Sequence, residues 1–163
     1  MDKWCHDHFL RRRTLDEVVQ LRDRLQKEMK AFLGTLKSTS FRDKNYGTII
    51  RKALALGFFN QAAIHCNNYY EDVYKTVNTN QWALLDPGSS LISLDHEWVI
   101  YNKFELRAKQ YVQIVTAIEP EKIVHLPYFQ TENLATKIES KELKRPYVKA
   151  SLDEARERLE TSR

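Results

Sequence analysis

Glycine is scarce in this 163-residue chain, and the four present, Gly34, Gly47, Gly57 and Gly88, are too scattered to build a GxxxxGK[ST] phosphate loop. Without that cradle these residues have no means of hydrolysing ATP by a phosphate-loop mechanism. Cysteine is rarer still. Cys5 and Cys66 are too few for a disulfide scaffold, and with no leader of the charged, apolar, small-residue kind they point to a reducing compartment. No apolar run approaches the roughly 20 residues that span a bilayer, so no membrane partner is expected. Cys5, His6 and His8, or His65 and Cys66, have metal-ligand chemistry but lack paired CxxC or HxxxH spacing, and no metal site is expected from them. Net charge is only +4, with a pI near 9.0, which permits nucleic acid or an acidic partner and demands neither. The excess sits at one end: residues 1–47 hold eleven Lys/Arg against seven Asp/Glu, and the rest of the chain is balanced.

What is there supplies a core, since 42% of residues are hydrophobic. The N-terminal third has helical periodicity. WCHDHFL reads as a short helix, and RRR at 11–13 as a solvated connection that could also meet phosphates. Thr14 and Glu17 then stand in capping-box spacing before a helix with Leu15, Val18, Leu21, Leu25, Met29 and Phe32 on its apolar side, ended by Gly34. Thr48 is placed to cap TIIRKALALGFFNQAAIHC, an apolar helix whose only charges, Arg51 and Lys52, lie near its start. From residue 73 the period becomes two. VYKTV, WALLDP, EWVIYNKFEL and KQYVQIVTAI read as four short strands separated by Asn, Asp, Pro, Gly and Ser, the spacing of a small antiparallel barrel. Asp86 before Pro87 and Gly88 reads as a turn. KASLDEARERLE reads as a terminal helix with charges of both signs. The expected class is α+β: N-terminal helices, a small antiparallel barrel, and a C-terminal helix.

The stretch EWVIYNKFELRAKQYVQIVTAI, residues 97–118, carries the most chemistry. Strict alternation puts Trp98, Ile100, Phe104 and Leu106 inward together with Asn102, and Val99, Tyr101, Lys103 and Glu105 outward. In the next strand Val112, Ile114, Thr116 and Ile118 are expected inward, leaving Lys109, Tyr111, Gln113 and Val115 outside. Tyr101, Lys103, Arg107, Lys109 and Tyr111 then share one surface. Cations that follow phosphates beside rings that stack on bases are what single-stranded nucleic acid uses. An amphipathic sheet whose tyrosines pack against the terminal helix shows the same pattern.

IRKALALGFFNQAA (50–63), YKTVNTNQ (74–81), EWVIYNKFELRAKQYV (97–112) and VTAIEPE (115–121) resemble the C-terminal region of DEAH-box RNA helicases, most closely the branch serving pre-mRNA splicing and ribosome biogenesis. The similarity runs from about residue 4, where WC and SFRDKNYGTIIRKAL resemble the last helices of the ratchet region, to about 129, with KASLDEARERL a looser match. Two positions depart from the pattern. Gln113 stands where the family usually has a basic residue, and Lys122 where EPE is usually followed by Trp.

The resemblance implies three parts: residues 1–66 as the helical end of the ratchet, or helicase-associated, domain; 67–129 as an OB fold; and 130–163 as an extension ending in a helix. It implies a non-catalytic lid that closes the single-stranded RNA channel. The RNA contacts so implied are Tyr101, Asn102, Lys103, Arg107, Lys109, Tyr111, Lys75, Arg51 and Lys52. The partners implied are single-stranded RNA, the helicase motor domains and activators with glycine-rich patches. The chain itself would need no cofactor; ATP and magnesium belong to the parent's motor, whose DEAH box is absent here. A fragment is the expectation, because the similarity begins inside a helical region. The implied location is the nucleoplasm or nucleolus, with a cytoplasmic pool as the variant. The competing reading, motivated by Gln113, is a stand-alone protein-interaction module that kept the OB fold and lost RNA binding.

Overall fold

The computed structural model describes residues 2–66, 72–130 and 146–161. The chain divides into two compact units, residues 1–43 and 44–163. Part of the expected C-terminal extension (131–145) and the first residues of the range assigned to the barrel (67–71) lie outside the described residues. No described helix is long and apolar enough to cross a membrane.

The first unit holds α1 (Asp2–Asp7) and α2 (Arg12–Leu33). The expected capping box does not form. α2 begins at Arg12, two residues before Thr14, and its N-cap Arg11 makes no side-chain cap. The extra turn is held instead by ion pairs four residues apart, Arg12–Asp16 at 3.3 Å and Arg13–Glu17 at 3.1 Å. Gly34 does end the helix, at φ 70°, its N–H donating to the Lys30 carbonyl.

In the second unit α3 (Tyr46–Gly57) starts from Asn45, so Thr48 lies within the first turn and is not the cap. The helix stops at Gly57. A 3-10 turn follows over Phe59–Gln61, and AAIH, expected as the end of the helix, is the strand β1 (Ala62–His65). Alanine favours helix in isolation. Here Ala62 and Ala63 are fully buried because β1 pairs on both edges, with β2 (Val73–Thr76) and with β4 (Trp98–Leu106), and that pairing overrides propensity. With β3 (Trp82–Leu85) and β5 (Gln110–Ile118) the order is β1-β2-β3-β5-β4, closed on itself. All pairings are antiparallel except the short parallel match Leu84↔Tyr111, Leu85↔Val112. Full closure leaves no open sheet edge among the described residues.

Two clusters form the core. Ala63, Tyr74, Ala83, Leu85, Val99, Tyr101 and Val112 fill the barrel. Ala62, Ile64, Trp98 and Ile100, on the opposite face of β1 and β4, pack with Ala55 of α3, with Ile123, Val124 and Phe129, and with Val148 and Leu152 of the last helix, α4 (Pro146–Thr161). The β1–β4 wall is therefore buried on both sides. α4 is fastened to it: the indole Nε1 of Trp98 donates to Ser151 Oγ at 2.8 Å, Arg156 donates to the Phe129 carbonyl at 2.9 Å, and Arg158 pairs with Glu121 at 3.0 Å.

Candidate nucleic-acid interface

The β4–β5 hairpin does not alternate as a regular strand pair would. Its register is constant from Trp98↔Ile118 to Leu106↔Gln110, yet no ladder pairing joins Asn102 and Ile114. Ile114 has φ 51°, a left-handed conformation that a β-branched residue rarely adopts, and its side chain is 74% exposed. On both strands the inward face changes parity at this kink. Val99 and Tyr101 point into the barrel before it, and Phe104 and Val112 after it.

Tyr101 is thereby corrected as a candidate: it is 7% exposed, with the Phe104 ring 6.4 Å away, and burial pushes its phenol pKa up. It has no face to offer a base. Val115 also packs against the interior, Ile114 points out, and Leu106, expected in the core, is exposed. Asn102 is exposed and its carbonyl accepts a hydrogen bond from Gln61 Nε2 at 3.0 Å.

Lys103 and Arg107 remain on the surface within a polar cluster. Gln113 Nε2 donates to Asp86 Oδ2 at 2.7 Å and to Glu105 Oε2 at 2.8 Å. Arg107 pairs with Glu105 at 2.6 Å and Asp86 at 3.3 Å, and Lys103 with Glu105 at 3.1 Å. Asp86 also closes its turn by accepting the Gly88 N–H at 2.9 Å. Two carboxylates thus offset two cations, and phosphate would have to compete for them. The hydrogen bond from Gln113 is the main reason Asp86 titrates below the usual carboxylate range; for Glu105 it is the one from Lys103. Depressed carboxylate pKa values add stability that is present above about pH 4 and lost as pH falls through the folded values. Arg107→Ala is therefore expected to flatten the acid limb of a stability–pH curve below pH 4 while leaving the neutral region nearly level. An unchanged acid limb would show that Arg107 contributes nothing to holding the two carboxylates ionised.

A second aromatic and cationic surface lies on the outer face of β2, β3 and β5. Lys75↔Trp82 and Leu84↔Tyr111 are register pairs, which places Lys75, Trp82 and Tyr111 together. Trp82 is more than half exposed with the Lys75 ammonium 4.8 Å from its ring, and the Arg107 guanidinium lies 5.5 Å from the half-buried Tyr111 ring. Lys109 is exposed at the hairpin tip.

The third feature is a cleft of about 150 Å³ where α3 meets the end of β5, lined by Thr48, Arg51, Lys52, His96, Glu119 and Lys122. Lys122 pairs with Glu119 at 3.3 Å. Arg51 and Lys52 have no ion-pair partner among the described residues. Three cations beside one carboxylate and a hydroxyl make a positive concavity suited to an anion.

Residues 50–126 match the family model described as an oligonucleotide/oligosaccharide-binding (OB) fold. The barrel is an OB fold. The matched span takes in most of α3, all five strands, the hairpin kink and every residue of the cleft except Thr48. Of the candidates from sequence, the OB fold brings Arg51 and Lys52 into the cleft, and Lys75 and Tyr111 onto the outer face. Lys103 and Arg107 lie in the ion-paired cluster and Tyr101 in the core. Sequence reasoning missed Trp82 and Lys122. The alternation of WALL, with Ala83 and Leu85 inward, was the signal for Trp82. Lys122 carried a signal only as the departure from Trp, which puts an ammonium into the cleft.

Proposed function

We propose that this chain is the non-catalytic C-terminal RNA-binding and regulatory region of a DEAH-box ATP-dependent RNA helicase. In this reading it closes the single-stranded RNA channel and docks activators with glycine-rich patches, in pre-mRNA splicing or ribosome biogenesis in the nucleus. ATP and magnesium act in the parent's motor domains. The observation that carries the reading is a basic cleft built into an OB fold, at Arg51, Lys52 and Lys122, in a chain whose motifs resemble that family in order. Phosphates would sit in the cleft, and bases would stack on Trp82 and Tyr111.

The test is single-stranded RNA binding as a function of salt. An isolated lid supplies one wall of a channel, so binding is expected to be weak. Affinity should fall by about 0.7 log units per log unit of salt for each phosphate neutralised, giving a slope of about 1.4 to 2.1 for two or three contacts. The same preparation is expected to show no RNA-stimulated ATP turnover. Absence of salt-dependent RNA binding sinks the proposal and gives the lead to a protein-interaction module.

A further inference from the structure

We propose that His65, Asp72 and Asp95 form a site for one divalent first-row transition ion such as Zn²⁺, independent of the nucleic-acid surface. A ring nitrogen of His65 and one carboxylate oxygen from each aspartate lie within 4.8 Å of one another. His65 ends β1 with its ring edge-on to Tyr74, 5.1 Å between centroids, and its Nε2 is buried with no hydrogen-bond partner. Such an atom is costly to leave unsatisfied unless something coordinates it. Neither aspartate has an ion-pair partner among the described residues, although their like charges are held close together. Asp72 is oriented by the backbone N–H of Ser93, which donates to its Oδ2 at 3.1 Å.

The chemistry selects the ion. One neutral imidazole and two carboxylates offset a 2+ charge, and the nitrogen donor favours zinc, iron, nickel or copper over magnesium and calcium, which prefer all-oxygen sites. Tetrahedral bonds of 2.0–2.1 Å would bring the three donors to about 3.3 Å apart, leaving the fourth position to water. The donors lie within 4.8 Å of one another here, and the exposed Asp95 side chain is free to move closer. A bound ion would tie the segment between β3 and β4 to the adjoining ends of β1 and β2.

The experiment is calorimetric titration of the metal-stripped, thiol-reduced chain with Zn²⁺ and, separately, Mg²⁺. A His6→Ala/His8→Ala background removes N-terminal ligands. One Zn²⁺ per chain is expected, with no Mg²⁺ uptake and a shift of the His65 ring-nitrogen resonances on binding. Asp95→Asn should weaken Zn²⁺ at least about tenfold. It keeps the left-handed backbone at φ 49°, which Asn tolerates, so the variant should fold. Asp72→Asn should behave alike. Equal affinity in both variants, Zn²⁺ binding without movement of the His65 resonances, or no binding at 100 µM free ion (roughly −5.5 kcal/mol) each overturns the proposal.

Discussion

Trp98→Ala is expected to cost the OB-fold unit about 3–5 kcal/mol, a large share of the roughly 5–15 kcal/mol that keeps a domain folded. The indole is fully buried between the outer face of the barrel and the elements that cover it. Its ring meets Phe129 edge-on at 6.3 Å, and its Nε1 reaches α4 at Ser151, whose hydroxyl in turn donates to Glu97. Truncation therefore opens a cavity and removes the donor that holds α4 against β4. Trp98→Phe, which keeps much of the volume and loses only that donor, should cost distinctly less. Guanidinium unfolding followed by circular dichroism measures both. A loss below about 1 kcal/mol for Trp98→Ala would mean that α4 does not pack there in solution.

Where the sequence was legible, one physical signal acted alone. The alternation of β2 and β3 reflects a single constraint, burial of one face, and α2 follows its amphipathic period to a glycine stop although none of its residues is buried. Where two constraints competed, the reading failed. AAIH is helix by propensity and strand by pairing on two edges, and only the closed barrel decides between them. Alternation along residues 97–118 assumed a regular strand, but Ile114 at φ 51° shifts the parity and turns Tyr101 inward. No local feature of YNKF or VQIV announces that kink. The candidate site divided accordingly. Arg51 and Lys52, at the start of a helix, could be placed from sequence. Whether Lys103 and Arg107 were free or paired depended on Asp86 and Gln113, which only the fold brings to them. Gln113 is for this reason more than a missing cation: it bridges two carboxylates, and Gln113→Arg would pair with those carboxylates before it met phosphate.

The cleft is the better place to test RNA binding, and Arg51→Ala/Lys52→Ala is expected to have the largest effect on its salt dependence. Both cations lack ion-pair partners among the described residues, so removing them strands no carboxylate, and both are exposed on α3, where alanine is a good helix former. If each neutralises one phosphate, the salt slope should fall by about 1.4, and affinity at 0.1 M salt by roughly 25-fold, the product of about fivefold per contact. Trp82→Ala should behave differently. Stacking releases few counterions, so affinity should drop by about 1–3 kcal/mol with the slope unchanged. Arg107→Ala provides the contrast, because its guanidinium is held by Asp86 and Glu105 and should leave the slope nearly as it was. If instead Arg107→Ala lowers the slope and the double variant does not, RNA follows the hairpin cluster by displacing its ion pairs, and the cleft serves some other anion.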